Sequence, residues 1–65
     1  MDQKQLIDWA IAGVKAKQIA LTNSLKRERE DGQKAYVLDG IRKALDDTWP
    51  IRRELEEMKE ALENV

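Results

Sequence analysis

A chain of 65 residues makes one small domain with little room for a core. It contains neither cysteine nor histidine, so disulfide staples are excluded, and a structural zinc site, built mainly from those two ligands, is not expected. The formal net charge of −1 gives the whole chain no electrostatic address for nucleic acid or an anionic membrane.

Hydrophobic residues make up 42% and charged residues 38%, a balance that suits long amphipathic helices. The apolar positions are too many and too regular for a disordered chain. No stretch approaches the roughly 20 apolar residues needed to span a bilayer. No apolar core follows Met1-Asp2-Gln3-Lys4, so a signal peptide is not expected and a cytoplasmic protein is.

The first predicted helix covers about residues 3–29. Its main seam is Ile7, Ile11, Val14, Leu21 and Leu25, with Gln18 standing where an apolar residue would fit. A second stripe is Leu6, Ala10, Gly13 and Ala20, and a third is Trp9, Ala12, Ala16 and Ile19. A helix with one neighbour needs an apolar stripe of about 100°. This helix carries more, which predicts contact with more than one other helix. Gly13 is costly in a helix interior, by about 1 kcal/mol against alanine.

Lys26 to Lys34 holds no apolar residue, and Asp31-Gly32 inside it is the best turn signal in the chain. The spacing predicts a turn at about residues 30–34. Thr22-Asn23-Ser24 and Asp39-Gly40 are rival breaks.

A second helix is predicted over about residues 33–64. Val37, Ile41, Ala44, Thr48, Ile51, Leu55, Met58, Leu62 and Val65 alternate four and three apart, so one heptad register runs through Pro50. Pro50 removes one backbone hydrogen bond, so a kink or a break is expected near residues 48–50. Arg52 and Arg53 argue against a new helix start there, because cations oppose the helix dipole. In a continuous helix they reach Glu56 and Glu57.

Chemistry is sparse. The commonest general base and the thiol nucleophile are missing. Ser24 is the lone serine and sits in a cap-like setting. Asp46-Asp47 and Glu56-Glu57 are adjacent pairs whose side chains diverge on a helix by about 100°. The three glycines are isolated, so no phosphate loop exists. An enzyme is not expected, nor a cofactor, nor a metal.

The sequence therefore predicts an all-α antiparallel helical hairpin, 1–65 as a single domain, with a long second helix. Homodimerisation would complete a four-helix bundle. The alternative is a monomeric three-helix bundle broken near Pro50. The residues expected to hold the assembly are Ile7, Ile11, Val14, Leu21, Leu25, Ile41, Leu55, Met58 and Leu62. Trp9, Trp49, Arg27 and Arg29 are the candidates to face a protein partner. The expected role is that of a small helical interaction or regulatory module. Nucleic-acid binding through the basic residues around the turn is the alternative, but Glu28, Glu30 and Asp31 are interleaved with them.

Overall fold

Asp2 starts the first helix. Its side chain accepts a hydrogen bond from the Gln5 backbone N–H at 2.7 Å, and its own N–H donates to Gln5 Oε1 at 3.2 Å. This capping box satisfies two otherwise orphaned donors and is worth about 1 kcal/mol. The computed structural model describes residues 2–64, in which α1 spans Gln3–Glu30 and α2 spans Ala35–Glu63. Val65, the last position of the apolar heptad, lies outside the described residues.

Gly32 makes the turn. Its φ of 74° is the left-handed conformation that closes a helix, and only glycine adopts it without strain. The Gln33 N–H donates to the Glu28 carbonyl at 3.0 Å, and the Gly32 N–H to that of Arg29 at 3.2 Å. These two bonds form a Schellman motif. Arg27 and Arg29 in the last turn of α1 favour the negative end of its dipole. Helix α2 has no such help at its start. Lys34 occupies the cap position without a side-chain hydrogen bond, so packing against α1 must hold that end.

Helix α2 runs unbroken through Pro50, so the chain forms two helices and not three. Pro50 and Asp46, whose carbonyl loses its donor, are both exposed, so water can satisfy that carbonyl. Thr48 and Arg52 on either side of the proline both hydrogen-bond to Gln18 of α1, which ties the two halves of α2 to one neighbour.

The helices pack antiparallel with residue numbers across the seam adding to 66 or 67: Gln18 with Thr48, Asp8 with Lys59, Lys4 with Glu63. The molecule measures 50 × 18 × 12 Å, with a radius of gyration of 15.1 Å. A compact globule of this length would have about 11 Å. The hairpin is thus a flat, elongated slab one helix thick. Ile7 and Ile11 are the buried apolar residues among those described.

Candidate interaction surface

On α1 the seam follows Ile7, Ile11, Val14, Gln18, Leu21, Leu25 and Glu28, all buried or half-buried. On α2 it follows Ile41, Leu45, Thr48, Arg52, Leu55, Lys59 and Leu62. This line shares Ile41, Thr48, Leu55 and Leu62 with the apolar heptad. At the alternate positions Leu45, Arg52 and Lys59 turn toward α1, where the heptad has Ala44, Ile51 and Met58. Ile51 and Met58 instead remain 53% and 45% exposed.

The centre of the seam is polar. Gln18 Nε2 donates to Thr48 Oγ1 at 3.0 Å, and Arg52 donates to Gln18 Oε1 at 3.0 Å. The Thr48 hydroxyl in turn donates a hydrogen bond to the Leu45 carbonyl, and Arg52 also donates to Glu56 at 3.0 Å. No buried side-chain polar atom among the described residues lacks a partner. A satisfied buried layer of this kind fixes register, because sliding either helix would orphan its members.

At about 100° per residue, each helix presents two flanks beside the seam, and together these make the two broad faces of the slab. One face is charged. It carries all three ion pairs found among the described residues: Lys4–Glu63 at 3.5 Å, Asp8–Lys59 at 2.8 Å and Arg52–Glu56 at 3.0 Å. Asp8, by its hydrogen bond first and its charge second, holds the Lys59 ammonium above its usual pKa of 10.5. The Arg52 guanidinium lies over the Trp49 ring at 5.4 Å from its centroid, a cation–π contact. Beside this pair an open groove of about 580 Å³ is lined by Ile19, Leu45 and Trp49, with Lys15 and Arg52 at its polar edge.

The opposite face is mostly apolar. It carries Leu6, Ala10, Gly13 and Ala20 from α1, and Ala44, Ile51 and Met58 from α2. Leu6, at 55% exposure, stands beside Met58 in the register of the hairpin. The charged side chains in the middle of this face are Lys17 on α1 and Asp47 and Glu54 on α2.

Of the residues predicted to hold an assembly, Ile7 and Ile11 are buried within the chain itself. Val14, Leu21, Leu25, Ile41, Leu55 and Leu62 are half-buried along the same seam, and Met58 is exposed on the apolar face. The four predicted partner-facing residues are all exposed but do not converge. Trp9 sits on the outer edge of α1 near the chain ends, Trp49 on the charged face at mid-length, and Arg27 and Arg29 at the turn. Arg53 and Glu57 form no ion pair, although they share the spacing of Arg52 and Glu56. Sequence reasoning had not placed Arg52 and Lys59 in the seam; their long apolar stems cross it while their charged heads reach out to Glu56 and Asp8.

Among the described residues, no three metal-ligating side chains come together, and no helix is long and apolar enough to cross a membrane. Comparison with protein-family models, with curated proteins and with solved structures finds nothing that matches this chain.

Proposed function

We propose that this chain is a non-enzymatic helical interaction module that works as a homodimer of hairpins, four helices in one bundle. The observation that carries this reading is the column Ala44, Ile51 and Met58. These residues continue the heptad of α2, yet Ala44 is only half-buried and Ile51 and Met58 stay about half exposed. A helix with one neighbour needs one apolar seam; α2 has a seam and a second apolar flank. Helix α1 matches it with Leu6, Ala10 and Gly13 on the same side.

A 65-residue hairpin with two buried apolar side chains among its described residues is short of core, and it has no disulfide to compensate. Its broad face spans 50 × 18 Å between Cα atoms, comparable with the roughly 800 Å² that each partner covers in a standard stable interface. A second copy supplies that area with matching length. The charged face, with Trp49 and its groove, then stays on the outside of the bundle as the surface available to a protein partner.

Thermal unfolding followed by circular dichroism at several protein concentrations tests this reading. Stability that depends on association raises the unfolding midpoint with concentration. A midpoint unchanged over a hundredfold range would remove self-association from the account.

A further inference from the structure

We infer that the two hairpins pack about a two-fold axis parallel to the helices, so that α1 of each copy lies antiparallel on α2 of the other and both turns emerge at the same end. This arrangement rests on the homodimer reading above. It keeps the register of the hairpin across the new interface, because each α1 faces an α2 at the same height whether that α2 belongs to its own chain or to the second copy.

Charge selects it. Lys17 stands near the middle of the apolar face and forms no ion pair with any described residue; neither do Asp47 and Glu54. In the hairpin register, Asp47 and Glu54 lie at heights just on either side of Lys17. With the axis parallel to the helices, Lys17 of one copy faces Asp47 and Glu54 of the second copy, and the symmetric contact repeats on the other side. With the axis perpendicular to the helices, α1 meets α1 and α2 meets α2. Full overlap then sets Lys17 against Lys17 and Asp47 against Glu54, which is repulsive and only partly solvated. Sliding the copies apart relieves this but shortens the buried length.

Shape is compatible with the same arrangement. In the register of the hairpin, Ile51 lies level with residues 15–16 of α1, between Gly13 and Lys17, and Met58 with residues 8–9, between Leu6 and Ala10. A Cβ added at Gly13 would meet nothing within 4 Å in the chain, so no intramolecular packing explains the glycine there. In the parallel-axis bundle, Ile51 of the second copy sits between Gly13 and Lys17, and Met58 of the second copy between Leu6 and Ala10. Each of these large residues then has one small residue of the facing α1, Gly13 or Ala10, beside it.

The test is a distance between spin labels on Asp31→Cys, a single thiol in a chain with no native cysteine, next to the turn and exposed. Both turns at one end give a label-to-label distance on the order of 20 Å, set by packed helices about 8–10 Å apart and the label arms. A distance near the 50 Å length of the hairpin overturns the arrangement while leaving the dimer standing. A labelled protein that stays monomeric overturns the reading on which the arrangement rests. Charge reversal gives a second, independent readout. Lys17→Glu raises the dimer dissociation constant by about tenfold or more, and adding Asp47→Lys and Glu54→Lys restores it. A triple variant as weak as the single one contradicts the proposed contacts.

Discussion

Gln18 and Thr48, thirty positions apart, hydrogen-bond across the centre of the hairpin at 3.0 Å, both of them buried. They are the polar centre of a seam that is otherwise largely aliphatic. Gln18 also accepts from Arg52, so it serves two partners of α2 at once. Its replacement therefore leaves two groups to be resatisfied. Gln18→Ala is expected to lower the unfolding free energy by about 1–3 kcal/mol in a denaturant titration. Lys15→Ala, on the same helix but exposed, should change it by no more than about 0.5 kcal/mol.

Pro50 costs α2 one backbone hydrogen bond and sits at an exposed position. Because the helix is continuous on both sides, alanine there regains the bond and clashes with nothing. Pro50→Ala should stabilise the protein by about 1–3 kcal/mol, read as a higher denaturant midpoint. A loss of stability would mean that the proline starts a helix and does not interrupt one.

Asp8 and Lys59 tie the chain ends of the two helices at 2.8 Å. The folded state holds the lysine above its ordinary pKa of 10.5. The contribution of the pair is therefore complete below that pH and disappears as pH rises through the raised value. Midpoints measured from pH 8 to pH 12 should fall more steeply for the wild type than for Asp8→Asn, and the two curves should converge at the alkaline end. Identical slopes would show that the pair carries no pH-dependent stability.

Gly13 separates monomer from dimer by the sign of one substitution. In a single hairpin the added methyl meets open space, so Gly13→Ala gains about 0.5–1 kcal/mol of helix stability. In the bundle that methyl lies under Ile51 of the second copy. The variant should be more helical than the wild type at high dilution and should dimerise more weakly, both read by circular dichroism across concentrations. Gains in both would leave Gly13 outside any interface.

The hairpin itself was legible in the sequence. Asp31-Gly32 marks the turn because a left-handed residue ends α1, and the 3.6-residue periodicity of Ile7, Ile11, Val14 and Ile41, Thr48, Leu55 marks the helices. The seam was legible only in part. Counting apolar residues selects Ala44, Ile51 and Met58, whereas α1 lies against Leu45, Arg52 and Lys59. Arginine and lysine lay apolar stems across a seam that hydropathy assigns to solvent, and which side they take depends on where Gln18 and Asp8 stand on the other helix. Gln18 was visible as a polar residue in an apolar row. Its partners were not, because hydrogen bonding across thirty positions follows from register and not from spacing.

The molar mass of the chain in solution tests the dimer most directly. Light scattering over a concentration series should give twice the 7.5 kDa of one chain for the wild type, and a return to 7.5 kDa for Ile51→Glu, which sets a charge in the middle of the apolar face. Trp49→Glu, on the charged face, should leave the dimer intact. A wild-type mass of 7.5 kDa at every concentration, or dissociation by Trp49→Glu in place of Ile51→Glu, would contradict it.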